Sequence, residues 1–271
     1  MRTTSDPTPP TPEGLLPAVE LFVREAGAVI LEVYAEDFAV ARKTDDTPVT
    51  VADQRAETVL LRSLSMLTPR IPVIAEEAVA AAGVPDPAEL GERFWLVDPL
   101  DGTREFVARN GEFTVNVALI DRGEPVLGVV FAPALGCLYA GLVGHGAWRE
   151  DRDGRRAIRC RTAPATGLDV VASRSHGDPA ALQKFLTQHK VASVVAAGSS
   201  LKLGLLAEGR ADLYPRFGRT MEWDIAAGHA VLVAAGGSVL RLDDGKPLRY
   251  GDRKSTRLNS SHEWISRMPS S

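Results

Sequence analysis

The sequence predicts a layered α+β fold, in which an N-terminal unit built on a mixed or antiparallel sheet is followed by a smaller α/β unit. Three observations carry this. Leu15 to Tyr34 and Val51 to Leu67 have helical periodicity, short strand-like runs follow one another from Ile71 to Leu142, and strands alternate with helices after about Cys160.

Taken in order, residues 1–14 contain the proline-rich, polar stretch SDPTPPTPEG, which is expected to be a disordered lead-in and lacks the character of a signal peptide. Between the two helices, Lys43 to Thr50 (KTDDTPVT) predicts a loop or hairpin. Strands are expected at Ile71–Ala75, Phe94–Val97, Thr114–Ile120, Val126–Phe131 and Cys137–Leu142. The second unit should run as strand Val170–Ala172, helix Pro179–His189, strand Val191–Ala196, helix Ser199–Glu208 and strand Ala211–Tyr214. A small-residue helix, Ile225–Ala235, opened by Trp223-Asp224, comes last. The expected boundaries are therefore 15–160 and 161–251. Residues 252–271 (DRKSTRLNSSHEWISRMPSS) fit neither period and are expected to be a non-native or disordered tail.

Composition narrows the function. With 271 residues, 45% of them hydrophobic, the chain can bury a substantial core. A formal charge of −4 argues against a polymeric nucleic-acid partner, whose footprint is basic, but leaves a small nucleotide substrate possible. No apolar run reaches the length of a membrane span. Cys137 and Cys160 show no metal or redox spacing, so two buried free thiols in a reducing cytoplasm are expected. The chain is expected to be a monomer or homodimer.

The densest chemistry lies between Phe94 and Asn116. An apolar run delivers Asp98 and Asp101 around Pro99 and straight into Gly102-Thr103. Proline forbids a paired inner strand, so the chain is expected to turn where the two acids sit. Hard divalent cations take oxygen ligands, and the Leu100 carbonyl between the acids is a further candidate. Gly102 and Thr103 resemble a helix start, where free amides favour an anion. Taken alone, a DxxDG segment is more often a capped surface turn.

Two more acidic places add to it. Glu76 and Glu77 end the apolar run IPVIA, and Asp224 lies at or near the N-cap of the small-residue helix. Acids at several element ends are the raw material of a two- or three-metal phosphoryl-transfer site.

At these residues the chain resembles the lithium-sensitive, magnesium-dependent phosphatases typified by inositol monophosphatase: WLVDPLDGTREF, with IAEE upstream and EWDIAAGHAV downstream, occurs in their order. Within that superfamily, NGEFTVNVALI (Asn110 to Ile120), SRSH (Ser173 to His176), GSSLKLGLLAEG (Gly198 to Gly209) and LYPRFG (Leu213 to Gly218) resemble the CysQ-type 3'(2'),5'-bisphosphate nucleotidases. The resemblance covers roughly residues 15 to 250 and implies an inositol monophosphatase/fructose-bisphosphatase-like αβαβα sandwich.

Carried over residue by residue, the resemblance implies two or three Mg2+ ions. Glu76, Asp98 and the Leu100 carbonyl would hold the first, and Asp98, Asp101 and Asp224 the second, with Glu77 behind them. Thr103 would position the attacking water and Asp53 would support Thr103, although Asp53 also suits an ordinary acid in the first turn of a helix. The implied reaction is hydrolysis of the 3'-phosphate of 3'-phosphoadenosine 5'-phosphate to AMP and phosphate by metal-activated water, a clearing step in sulfate assimilation. Candidate substrate contacts are Gly102, Thr103, Ser173, Arg174, Gly198, Ser199, Ser200, Lys202, Arg216 and Asp224. Lys202 is placed to reach a second phosphate, whereas either serine taken singly equally suits helix capping. His176 stands between a nucleotide contact and an ordinary loop role, and His145, His189 and His229 are expected at the surface or in packing. Alternatives are inositol monophosphatase or fructose-1,6-bisphosphatase activity, or a catalytically silent nucleotide- or metal-binding protein.

Overall fold

In the computed structural model, the described residues are 10–36, 40–42, 48–83, 85–86, 90–173, 178–218, 220–251, 257–258 and 264–267. Helix α1 (Pro12–Ala35) starts where Thr11 Oγ accepts the Gly14 amide and Pro12 supplies a pre-set first turn. Its buried side chains, Leu15, Val19, Val23, Ala26, Ile30 and Val33, recur at helical spacing. The short strands β1 (Val40–Arg42) and β2 (Pro48–Thr50) pair antiparallel ahead of helix α2 (Val51–Leu67), and the part of the expected loop or hairpin at 43–47 lies outside the described residues. The facing stripes of α1 and α2 cover one side of the main sheet, in a core with Trp95, Val117 and Val129.

That sheet has seven strands in the order β3-β4-β5-β6-β7-β8-β9: β3 (Val73–Ala75), β4 (Arg93–Asp101), β5 (Thr114–Asp121), β6 (Glu124–Ala132), β7 (Cys137–Leu142), β8 (Gly146–Asp151) and β9 (Gly154–Ile158). Only β3–β4 is parallel, so the sheet is mixed. Helices α3 (Glu76–Ala82) and α4 (Thr103–Val107) leave the ends of β3 and β4. Two features differ from the sequence reading. Strand β4 continues past Pro99, because the register slips between Asp98 and Asp101 and this bulge takes the proline out of the ladder. Strands β8 and β9 were not anticipated, since GAWRED and GRRAI are largely polar strands near the sheet margin, without a clean apolar alternation.

The second sheet contains β10 (Leu168–Ser173), β11 (Val191–Ala197), β12 (Leu213–Arg216), β14 (Ser238–Arg241) and β16 (Trp264–Arg267), in the order β11-β10-β12-β16-β14. A minor ladder joins β13 (Thr220–Met221) to β15 (Arg257–Leu258). The expectation that 252–271 would be a non-native or disordered tail of neither period is corrected at residues 257–258 and 264–267, which form strands. Residues 264–267 are the larger piece. They fill the space between β12 and β14, antiparallel to both, where open backbone groups on two sides recruit a β-prone Trp-Ile-Ser-Arg run.

Helix α5 (Pro179–Leu186), capped by the Asp178 carboxylate, connects β10 to its parallel neighbour β11. Helices α6 (Leu201–Ala207) and α7 (Glu222–Ala234) fill the space between the sheets. One apolar core joins Leu96, Ile120 and Val130 to Val171, Tyr214 and Val239 through Leu203, Ala227 and Val231. The layers are thus αβαβα. Both cysteines are buried free thiols, and among the described residues no helix is long and apolar enough to cross a membrane.

Candidate active site

The parallel β3–β4 pairing aligns Ala75 with Val97, so the ends of both strands come out side by side. This sets Glu76, the first residue of α3, beside Asp98. Asp98 is almost fully buried, and its Oδ1 accepts the Leu100 amide at 3.1 Å, closing the bulge. Gly102 follows with φ of 91°, a left-handed turn in which an added Cβ would lie 3.2 Å from the Glu112 carbonyl. Thr103 Oγ donates to the Leu100 carbonyl at 3.5 Å.

Asp224 comes from the far side. It is the third residue of α7 rather than its N-cap, which is Met221, and its Oδ2 accepts from Thr220 Oγ at 2.7 Å and the Met221 amide at 2.9 Å. Carboxylate oxygens of Glu76, Asp98 and Asp224 all lie within 4.8 Å of one another.

Such crowding shows in the acidities. Burial first, then Glu76, Asp101, Asp224 and Asp53, push Asp98 well above the usual carboxylate range. Asp224 is pushed up to about 7 by burial, then by Asp101 and Glu76, against the pull of the Met221 and Thr220 hydrogen bonds. Burial also raises Asp101, opposed chiefly by the Lys202 ammonium and the Ser200 hydroxyl. Buried like charges are unfavourable without a cation, and an all-oxygen donor set suits a hard divalent one. The cluster therefore fits a metal centre.

The remaining expected residues fall around it. Asp53, in the first turn of α2, is buried and close enough to Asp98 to raise its pKa. The Glu77 amide donates to Glu57 Oε2 at 2.7 Å, so Glu57, one turn beyond Asp53, anchors the start of α3. Ser173, Ala197 and Arg216 end the parallel strands β10, β11 and β12 at one edge of the second sheet, the usual ligand-facing edge of α/β architecture. Arg174 and His176 lie outside the described residues. Beyond Ala197, the Gly198 amide donates to Glu112 Oε2 at 2.8 Å. Ser200, the N-cap residue of α6, donates its hydroxyl to the Asp224 carbonyl at 2.7 Å and accepts from Asn116 Nδ2 at 3.0 Å.

Lys202 is turned inward. Its ammonium donates to the Ala197 and Ser199 carbonyls and lies 5.3 Å from the Tyr214 ring centre, so its charge serves the loop and Asp101. Asn116, Glu112, Thr220 and Glu57 had been given no role. A polar Asn inside the apolar run TVNVALI was the one available signal, because a buried amide needs partners. A groove of about 510 Å³ runs behind the Gly198 loop past Glu112, Ala197, Leu201 and Arg149, and none of the clustered acids lines it.

Comparison with known proteins agrees with this arrangement. The sequence profile of the inositol monophosphatase family matches residues 13–267. The 3'(2'),5'-bisphosphate nucleotidase CysQ of Salmonella typhimurium is 50% identical over 222 residues, covering 81% of this chain and 87% of its own. Among solved structures, CysQ from Bacteroides thetaiotaomicron superposes with a TM-score of 0.79 at 34% identity, over 94% of this chain and 97% of that one. An inositol monophosphatase from Anabaena gives a TM-score of 0.72 at 26% identity, over 94% and 90%.

Proposed function

The chain belongs to the inositol monophosphatase family, and from that premise we propose that it is a Mg2+-dependent 3'(2'),5'-bisphosphate nucleotidase that converts 3'-phosphoadenosine 5'-phosphate to AMP and phosphate. The observation that carries the reading is the convergence of Glu76, Asp98 and Asp224 within 4.8 Å, with Asp101 electrostatically linked to Asp224.

Two or three Mg2+ ions would be held by Glu76, Asp98, Asp101, Asp224 and the Leu100 carbonyl, with Glu77 behind them. Once bound, the ions supply positive charge to the phosphoryl oxygens and make a neighbouring water acidic. The protein's own groups do the rest. Thr103, supported by Asp53, orients the attacking water, and the Gly102 and Thr103 amides face the phosphoryl oxygens. Water oxygen bonds to phosphorus, the bond from phosphorus to the ribose 3'-oxygen breaks, and that oxygen takes up a proton. Ser173, Arg174, Gly198, Ser199, Ser200 and Arg216 hold the nucleotide, while Lys202 acts through the loop. A place in the cytoplasm, recycling the nucleotide by-product of sulfate assimilation, accords with this activity.

The test is phosphate release from 3'-phosphoadenosine 5'-phosphate, an inositol monophosphate and fructose 1,6-bisphosphate, with Mg2+ and with added Li+. The bisphosphate nucleotide should be preferred, Li+ should inhibit, and Asp101→Asn should lower kcat/KM by about 100-fold or more. Preference for the inositol or fructose phosphate would replace this reading with the sibling one, and absence of Mg2+-dependent turnover would leave a silent binding protein.

A further inference from the structure

The segment Asn110 to Ile120 gives no carboxylate to the acid cluster, yet it grips the opposite wall twice. Glu112 Oε2 accepts the Gly198 amide at 2.8 Å, and four residues later Asn116 Nδ2 donates to Ser200 Oγ at 3.0 Å. Between the two anchored positions sits Ser199 with φ of 45°, a left-handed conformation that strains any residue with a side chain. Such strain persists where neighbours over-determine the backbone. Gly198 permits the approach, because a Cβ there would come within 2.8 Å of Glu105 Cγ and 2.9 Å of the Glu112 carbonyl.

The polarity of the second grip is set by proton count. The Ser200 hydroxyl has one proton, and the Asp224 carbonyl 2.7 Å away can only accept. Asn116 must therefore present its NH2 group to Ser200, and its buried Oδ1 makes no hydrogen bond among the described residues. That oxygen's burial is unfavourable, at a ladder position paired with Asp98 on one side and Val130 on the other. Because the Ser200 backbone amide also hydrogen-bonds Asp101, one β5 side chain fixes where the loop stands relative to Asp101 and Asp224.

We propose that Glu112 and Asn116 are positioning residues that pin Gly198 and Ser200, holding the strained loop between them ready for the substrate. The proposal rests on the phosphatase reading of the acid cluster, but not on which phosphate ester is preferred. Glu112→Ala should raise KM about tenfold with kcat within about twofold, whereas Glu112→Gln, which keeps an acceptor oxygen, should restore KM to within about twofold. Combining Glu112→Ala with Asn116→Leu should cost little more than the worse single change, since one loop can be released only once. Calorimetric titration with AMP in Mg2+ buffer should show the same weakening without turnover.

Each constant is read on whichever ester the wild-type protein hydrolyses fastest, so a failed nucleotide preference leaves this test intact. If the wild-type protein turns over none of the esters, the AMP titration decides alone. An unchanged KM and AMP affinity in Glu112→Ala, no rescue by Glu112→Gln, or strictly additive losses would overturn it. Should Asn116→Leu fail to fold, the Glu112 pair still decides.

Discussion

Two buried side chains of helix α7 pull stability in opposite directions with pH. Asp224, near the start of α7, has a folded pKa raised to about 7 from 3.8, so its metal-free contribution is present below about pH 4 and is lost as pH rises through about 7. His229, one and a half turns on and 2.8 Å from the Tyr250 hydroxyl, is lowered to about 3 by burial. Its contribution is present above about 6.5 and is lost as pH falls. Each slope approaches about 1.4 kcal/mol per pH unit, so between about pH 4 and 6.5 the two largely cancel. In metal-free protein, His229→Gln should therefore steepen the fall in melting temperature from pH 4 to 7. Asp224→Asn should make that fall shallower, the raised Asp98 and Asp101 carboxyls still contributing to it. Identical profiles for both variants would refute the assignment. Both residues were visible in EWDIAAGHAV, but only the acid announced a function, through its match to the family motif, since a carboxylate at a helix start is otherwise ordinary capping chemistry. Asn116 and Glu112 stayed without a role for the opposite reason: they act on the backbone and hydroxyl of a loop over 80 residues away, and spacing along the chain cannot show that.

Helix α7 owes its position to the absence of side chains beneath it. At Gly128 in β6 an added Cβ would lie 2.3 Å from the Ala227 carbonyl and 2.7 Å from Ala230 Cβ, and at Gly141 in β7 it would lie 2.5 Å from Val231 Cα. Backbone cannot yield as a flexible side chain can, so Gly128→Ala must lift the helix. Overpacking of this kind costs about 1–3 kcal/mol, and it should also draw Asp224 away from Glu76 and Asp98. The expected outcome is a lower melting temperature together with a several-fold rise in the Mg2+ concentration for half-maximal activity, whereas loss of stability with unchanged Mg2+ dependence would separate the helix from the metal site. At this scale the long helices and apolar strands were legible because burial on one face imposes a period. Strand β4 running through Pro99 was not, since a bulge depends on the partner strand, and β8 and β9 were hidden by their polar faces.

Across the whole molecule, the second sheet is continuous only because β16 joins β12 to β14, each through four aligned residues. Sequence reasoning set this segment aside, and it had cause to: a serine-rich stretch without period shows no core-facing pattern, while a strand held on both sides needs only backbone groups to pair. Removing residues 252–271 would open both β16 ladders and the β13–β15 pairing, and with about 0.5–1.5 kcal/mol net per backbone hydrogen bond the loss should amount to several kcal/mol. The effect should be uneven. Strands β3 and β4 and helix α7 are packed by the first sheet, so Glu76, Asp98 and Asp224 keep one another as neighbours, whereas Leu213–Arg216 lose one side of their pairing and Ser238–Arg241, at the sheet edge, lose the strand they pair with among the described residues. Hydrogen exchange of the truncated chain should thus accelerate in β12 and β14 while β5 and β6 stay protected, and added Mg2+ should still raise its melting temperature in proportion to site occupancy. Unchanged protection of β12 and β14 would mean that residues 264–267 contribute nothing to the sheet. Collapse of protection in β5 and β6 as well would mean that the shared core, with Leu203 and Val231 bridging the two sheets, makes the two halves one cooperative unit in which the metal site cannot outlast the second sheet.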